Sequence, residues 1–395
     1  MINKLNCPVC NSLEVVIFFQ KKDVPVHQNY IFKTEESAKN INKGNLELYI
    51  CKKCGFIFNI AFDINKLKYS EFYDNTQDIS NIFSEYVDKE IDFLINDLKV
   101  KDKRIVEVGC GKGSFLKKIV LKSNSVGVGF DPSYVGDTYI LNNKVKFEKC
   151  FYDENCADVP ADIVICRHVI EHVPNPVDML RNIRMALASS PNAMVFFETP
   201  SVKWILENNV MYDFFYEHCS YFDVTSITRA FNIAGFTIKK IACEFNGQYM
   251  WIIGEISKGN EDISEINYKD IKALERLAYS YNETVSKNIE KWKEKIIDLS
   301  KNGKVAIWGA GAKGVTFVNL IDPENLYIDC VIDINIHKQQ GYLPGTGHKI
   351  VSYNEINNRK IKNIILMNSN YIDEINNVLN MEKIKVSLIY GEDLL

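Results

Sequence analysis

No apolar stretch of the 395-residue chain approaches the ~20 residues that a membrane-spanning helix needs, so no membrane insertion is expected. The first residues, Met1-Ile2-Asn3-Lys4-Leu5, run straight to Cys7 without the apolar core of a secretory signal. The expected location is therefore the cytoplasm. Neither sign of charge dominates: 47 Lys and Arg stand against 51 Asp and Glu, a formal net charge of −4. That balance offers no electrostatic footprint for nucleic acid or an anionic membrane. Proline and glycine are sparse, 10 and 20 residues, and no repeat or low-complexity linker separates segments, so the domains pack closely. A disulfide framework is not expected either, because the 11 cysteines are odd in number and scattered. What remains is an ordinary globular composition, 46 % apolar and 25 % charged.

Four segments follow from changes in pattern: 1–70, 71–258, 259–303 and 304–395. The first holds Cys7-Pro-Val-Cys10 and Cys51-Lys-Lys-Cys54-Gly55. A CxxC turn aims two sulfurs at one point, and two such turns make a tetrahedral four-thiolate site that suits Zn²⁺. A lone CxxC is also compatible with redox work. Two of them, in a segment too small for its own core, favour structural zinc on Cys7, Cys10, Cys51 and Cys54. Leu13–Phe19 and Leu46–Ile50 are the strands that bring the knuckles together. In the third segment Ile271, Leu274, Leu277, Tyr281, Val285, Ile289, Trp292 and Ile296 recur every three or four residues. That spacing predicts one long connecting helix, stopped near Gly303.

The second segment opens on Arg104-Ile-Val-Glu-Val-Gly-Cys-Gly-Lys-Gly-Ser-Phe115, a short strand, three glycines and a helix start. Such a loop brings backbone close to a ligand, and the helix N-terminus favours an anionic group. The strand Ser125–Phe130 ends at Asp131-Pro132, an acid placed to hold ribose hydroxyls. Glycine loops of this kind also serve NAD. The fuller E-x-G-x-G-x-G pattern resembles class I S-adenosylmethionine (SAM) methyltransferases. The resemblance implies cofactor contacts from Glu107, Gly109, Gly111, Gly113, Asp131 and Pro132. Strand patterns at Ala161–Cys166, Ala193–Glu198, Phe236–Cys243 and Tyr249–Ile256 complete a doubly wound, seven-stranded α/β sheet. Asp223 caps the helix that ends near Gly235.

Two clusters carry acid/base residue types. Arg167-His168-Val-Ile-Glu171-His172-Val-Pro174 follows the fourth strand, with His168 shaping the cofactor pocket and His172 a candidate for chemistry. Phe214-Phe-Tyr216-Glu217-His218-Cys-Ser-Tyr221-Phe222 pairs a histidine with an adjacent carboxylate that can orient it. In the last segment, Lys304-Val-Ala-Ile-Trp-Gly-Ala-Gly-Ala-Lys-Gly314 is a strand, a G-x-G-x-x-G turn and a helix, and Asp333 ends the next strand. It is compatible with a dinucleotide, with a phosphate or nucleotide-linked substrate, or with a purely structural Rossmann-like unit. The shortness of the segment favours the second.

Taken in order, the knuckles, the SAM-type domain with Glu-His-x-Ser-Tyr-Phe and the G-A-x-A-K-G segment resemble the sugar-nucleotide C-methyltransferases of deoxysugar biosynthesis. The resemblance implies a small N-terminal zinc-binding β domain and a C-terminal Rossmann-like substrate domain. It implies SAM and a structural zinc remote from the chemistry. The substrate it implies is a nucleotide-linked 4-keto-sugar, methylated at carbon through an enolate. His218, Glu217 and His172 are the matching catalytic positions. Tyr216, Tyr221, Gly309, Gly311, Lys313 and Gly314 are expected at the substrate, and a monomer or weak dimer is expected. The chain departs from the family where Phe215 replaces one catalytic tyrosine and Tyr73 stands near the place of another. It departs again where Asn246-Gly247-Gln248-Tyr249 replaces a His-Gly-Gly segment. Methylation at oxygen or nitrogen, an NAD-dependent oxidoreductase and a catalytically silent SAM-fold binding protein are the alternatives.

Overall fold

Alternating apolar residues at 46, 48 and 50 give the N-terminal region its sheet. β1 (Val15–Pro25) and β2 (Lys43–Cys51) pair antiparallel with Val15 opposite Cys51, and β3 (Ile57–Asn59) extends them. Leu46, Leu48 and Ile50 share the buried face. A short helix, α1 (Glu35–Lys39), is capped by Thr34 in the β1–β2 connection. The structure, a computed structural model, describes residues 5–67, 79–258 and 268–391.

The central region runs α2 (Asn81–Asn96), β4 (Arg104–Val108), α3 (Ser114–Ser123), β5 (Val126–Phe130), β6 (Tyr139–Ile140), β7 (Val145–Glu148) and β8 (Ile163–Arg167). It continues with α4 (Pro176–Ala186), β9 (Met194–Pro200), α5 (Val202–Glu207), β10 (Ser220–Tyr221), α6 (Val224–Ala234), β11 (Phe236–Glu244) and β12 (Tyr249–Ile256). Its sheet has the order β11-β12-β9-β8-β4-β5-β7-β6, with five parallel central strands and an antiparallel β11–β12 pair at one edge. The sheet has eight strands where seven were expected. The addition is β6, two residues folded back on β7 by a turn in which Leu141, Asn142 and Asn143 all have positive φ. Asparagine tolerates that region better than most residues. Asp223 and Ser226 form a capping box at α6, and Gly235 ends it in the left-handed region at φ 87°.

β10 does not join the central sheet. It pairs antiparallel with β3, Ser220 opposite Phe58, and completes the N-terminal sheet. The expected boundary near residue 70 is therefore crossed by a strand from the central region.

The last region runs α7 (Tyr268–Asn302), β13 (Lys304–Trp308), α8 (Ala312–Ile321), β14 (Ile328–Ile332), β15 (Ile350–Val351), α9 (Ile356–Arg359), β16 (Ile361–Leu366), α10 (Ile372–Met381) and β17 (Ser387–Tyr390). Its strands are all parallel, in the order β15-β14-β13-β16-β17, as a Rossmann-like unit requires. One face of α7 is buried through Ile271, Leu274, Tyr281, Val285, Trp292 and Ile296, as its spacing predicts. Tyr281 meets Phe19 of β1 and Phe214, while Trp292 meets Phe317 of α8. The helix is thus the spine of a core shared by all three regions.

Candidate active site and zinc centre

The first glycine loop lies at the carboxyl end of β4. Gly109, Gly111 and Gly113 have φ of 71°, 52° and 74°, where side chains are strained. A Cβ at Gly109 would run into Val169, and one at Gly113 into the Phe147 ring. At Gly111 a Cβ would meet nothing within 4 Å, so this glycine leaves an open approach. Asp131 accepts the Gly111 N–H at 2.9 Å and the Ser133 N–H at 2.8 Å, holding the loop, with exposed Pro132 in between. Each carboxylate oxygen has further lone pairs for ribose hydroxyls. Glu107 is buried on β4, and its Oε2 meets no hydrogen-bond partner among the described residues. Burial pushes its carboxyl up to about 8. An orphaned acid and an open glycine fit the methionine part and the backbone approach of SAM, and the carboxyl ends of β4 and β5 bring Glu107, the glycines, Asp131 and Pro132 together.

Beside it is a buried charge network. Arg167 Nε donates to Glu90 at 2.9 Å, and its guanidinium pairs with Glu198 at 2.8 Å. Tyr86 donates to Glu198, and the Trp251 N–H donates to Tyr86 at 2.7 Å. Burial pushes Glu90 up to about 8 in spite of Arg167. Burial likewise works against ionising Glu198, but Arg167 and His168 hold it down at about 2. His168, at φ 53°, lies between Glu198 (3.1 Å) and Glu171 (3.4 Å). Although burial opposes its charge, the two carboxylates raise it to about 10. The expected cofactor residue His168 is thus an imidazolium locked into this network, and it borders a cavity.

That cavity, about 330 Å³, lies between the central sheet and the C-terminal region, with Asn29 of the N-terminal region also in its lining. His168, Glu171, His172, Glu217 and His218 line one end, and Gly309, Gly311 and Lys313 the other. The His172 Nδ1–H donates to the Glu217 carbonyl at 2.9 Å, which leaves Nε2 as an acceptor. The His218 ring stands nearly perpendicular to His172, 4.7 Å between centroids, and 4.2 Å from Phe215. Its Nδ1 is buried without a hydrogen-bond partner among the described residues. Burial and the neighbouring His172 hold its pKa well below the usual histidine value, so the ring is neutral.

Several expectations need correction. The Glu217 carboxylate does not orient His218. It points the other way, to His27 Nδ1 at 3.2 Å and the Gln28 N–H at 2.9 Å, because Glu217 lies in a tight turn that the His218 N–H closes on the Phe215 carbonyl at 3.2 Å. The carboxylate that faces His218 is Glu171. Its oxygen and nitrogens of His172 and His218 all lie within 4.8 Å of one another. Thr199 donates to Glu171 at 3.0 Å, and His168 holds the acid down at about 2 against the effect of burial. Tyr216 and Tyr221 are core residues, not substrate contacts. The Tyr216 ring fills the space beside Gly44, and its hydroxyl accepts the Asp63 N–H at 2.8 Å. Tyr221 donates to the Phe215 carbonyl at 3.1 Å and packs on Phe214. Both are buried, as apolar rings in a β layer should be. Tyr73 lies outside the described residues.

In the second glycine loop, Gly309 and Gly311 would offer a Cβ open space, whereas one at Gly314 would strike the Gly309 carbonyl. Gly314 is therefore needed for packing helix on loop, although it also borders the cavity. Lys313 pairs with Asp213 at 2.9 Å and sits 5.0 Å over the Trp204 ring. Asp333, the ribose position of a dinucleotide fold, accepts the N–H groups of Ala310 (2.7 Å) and Asn335 (2.8 Å). Buried Lys338 donates to the Ala310 carbonyl at 3.1 Å. Glu171, His27 and Lys338 were not foreseen. Glu171 had a local signal, three residues from His168. His27, 190 residues from Glu217, had none.

The cysteine knuckles meet at a second centre. Cys7 and Cys54 sulfurs lie 3.6 Å apart, Cys10 and Cys51 3.5 Å, and all four ligand atoms fall within 4.8 Å. A tetrahedron of Zn–S bonds of roughly 2.3 Å needs sulfurs roughly 3.8 Å apart, so the quartet fits the metal. Each knuckle is closed the same way, by Asn11 N–H on the Cys7 carbonyl and Gly55 N–H on the Cys51 carbonyl, both 2.9 Å. Asn11 and Gly55 take the left-handed conformation there, at φ 59° and 75°. Four protein ligands leave no open position for substrate.

The sheet order and the loop at the carboxyl end of β4 define a class I SAM methyltransferase fold. Residues 80–241 match the family model of a methyltransferase domain, and residues 263–387 that of a C-methyltransferase C-terminal domain. With the fold, the two matches make the chain a SAM-dependent methyltransferase. A tRNA U34 carboxymethyltransferase of Campylobacter lari is 28 % identical over 175 residues, 42 % of this chain and 52 % of the relative. A ubiquinone biosynthesis O-methyltransferase of Neisseria meningitidis is 28 % identical over 144 residues, 33 % and 60 % of the two chains. The chain therefore spans little more than half the length of these curated relatives. Among solved structures, magnesium protoporphyrin IX methyltransferase from Synechocystis with bound SAH aligns with a TM-score of 0.36 and 17 % identity, over 48 % of this chain and 91 % of that one. Among the described residues no helix is long and apolar enough to cross a membrane.

Proposed function

We propose that the protein is a SAM-dependent C-methyltransferase of a nucleotide-linked 4-keto-sugar. It would act in the cytoplasm as a monomer or weak dimer, without a nucleic-acid partner. The observation that carries this reading is the cavity of about 330 Å³ that joins His172 and His218 to the Gly309–Lys313 loop. A sugar at the histidine end would leave its nucleotide and phosphates toward the loop, where open glycines and the α8 N-terminus favour an anion. When bound at Glu107, Gly111 and Asp131, SAM supplies an electrophilic methyl group. Neutral His218 takes the proton α to the ketone, and the ring then shares charge with ionised Glu171. His172 would hold the ketone oxygen when its Nε2 is also protonated, with its Nδ1–H still on the Glu217 carbonyl. The protein's task is to bring the resulting enolate carbon to the donor in a dry pocket. The four cysteines would hold zinc for folding alone.

The matched C-methyltransferase C-terminal domain supports carbon over oxygen as the acceptor. NAD chemistry is the weaker reading, since Asp333, which makes the same loop contacts as Asp131, is buried where Asp131 is partly exposed. The test is mass spectrometry of nucleotide-4-keto-sugars incubated with SAM, the α position deuterated. One added methyl and loss of deuterium to solvent are expected. His218→Gln should keep SAM affinity and lose turnover by roughly 10²–10⁴-fold. A methylated product that retains its deuterium would establish an O- or N-methyltransferase instead, and methyl-free sugars throughout would favour a silent SAM-fold binding protein.

A further inference from the structure

Both histidines of the proposed chemistry depend on one residue. Glu217 precedes His218 in the chain, and its carbonyl receives the His172 Nδ1–H at 2.9 Å. Its side chain is held from outside the methyltransferase domain. One carboxylate oxygen meets His27 Nδ1 at 3.2 Å, and the other receives the Gln28 N–H at 2.9 Å. The turn that does this is itself rigid. Gln28 Nε2 donates to the Pro25 carbonyl at 2.8 Å, and Pro25, Val26, His27 and Gln28 are all buried. The pair is almost wholly removed from water, with 7 % and 1 % of the two side chains exposed. At that burial a hydrogen-bonded pair holds its geometry, and an unpaired carboxylate would turn away.

We propose that His27 is a positioning residue of the active site: by gripping Glu217 it places His172 and His218 at the substrate. The N-terminal region that carries the cysteine quartet, whose Asn29 also lines the cavity, thereby takes part in placing the chemistry. This inference rests on the acid/base role proposed above for the two histidines.

Ring ¹⁵N spectra of the full-length protein test the placement without turnover. In the native protein His172 carries its proton on Nδ1. His27→Ala should release it to a mixture of tautomers, while His27→Asn, whose amide N–H lies near the lost Nδ1–H, should preserve it. In turnover, His27→Ala should lose roughly 10²-fold in kcat with SAM affinity unchanged, the scale of a small misplacement of reacting groups. His27→Asn should recover most of that loss. In a Glu217→Ala background His27→Ala should add less than about twofold, since the two act as one unit. Unaltered His172 signals in His27→Ala overturn the proposal. So does full turnover, or a His27→Asn that fails together with His27→Ala as melting falls, which makes the role one of packing. If the native protein methylates no sugar, the earlier reading fails, and the ring spectra alone decide this one.

Discussion

Glu107 is an acid that burial keeps largely protonated at neutral pH, since its pKa is pushed up to about 8. A cationic methionine moiety beside it favours the carboxylate, so SAM binding at pH 7 should expel a proton. The sign is fixed: the folded pKa lies above pH 7 without ligand and falls below it with the cation in place. Calorimetry in two buffers measures this directly. Binding should be more exothermic in Tris, which takes up protons exothermically, than in phosphate. Glu107→Gln should erase the difference, and equal heats in the native protein would remove Glu107 from the cofactor site. Glu107 was legible from the sequence because strand, acid and glycines are contiguous. Glu171 stood in plain view between two histidines, yet its role depends on His218 arriving from 47 residues further on. Glu217 misled for the opposite reason. Adjacency in the chain suggested a pair, and the tight turn at Tyr216 and Glu217 sends the two side chains apart.

Among elements, the glycine loop separates folding from binding. Gly113→Ala would press a methyl into the Phe147 ring at φ 74°. It should cost roughly 1–2 kcal/mol for the backbone and 1–3 kcal/mol for overpacking, read as a lower melting temperature. Gly111→Ala, with open space at φ 52°, should cost only the backbone part and instead weaken SAM binding. Equal stability losses with unchanged SAM affinity would mean that the loop does not face the cofactor. The knuckles make a parallel case. Metal analysis should find about one zinc per chain, and Cys51→Ser should lose it together with melting stability, not catalysis first. Metal-free native protein with unaltered melting would refute the centre. Loops and knuckles were legible because their information is local, a CxxC or a strand followed by glycines. β10 and β6 were not. β10 is two residues whose partner, Phe58, lies 162 positions away, and β6 exists only through a turn of three left-handed residues.

At the scale of the molecule, three regions share one core along α7, and all three line the cavity. Lys313–Asp213, Ser80–Glu374 and Gln248–Asn368 tie the C-terminal region to the methyltransferase domain around that cavity, at 2.9, 2.6 and 3.2 Å. The sequence announced the second glycine loop but not its direction, since only tertiary packing aims it at the histidines of another domain. Gly311 offers the cleanest test of that aim. Its backbone is extended, at φ −97° and ψ −174°, so a β-branched residue is at ease there. No atom lies within 4 Å of where its Cβ would stand. Gly311→Val should therefore leave the melting temperature and SAM affinity unchanged. Its side chain would stand in the path of the substrate's nucleotide or phosphates, so KM should rise by roughly tenfold or more, the effect of about 1.4 kcal/mol of lost binding. Asn246→Ala supplies the control, because it removes the 2.6 Å bridge from Asn246 to Asn370, outside the cavity lining. That variant should leave KM alone. A Gly311→Val enzyme with native KM would show that the loop is a structural Rossmann remnant and that the nucleotide lies elsewhere. A rise in KM matched by the Asn246 variant would assign the effect to the domain interface instead of the loop.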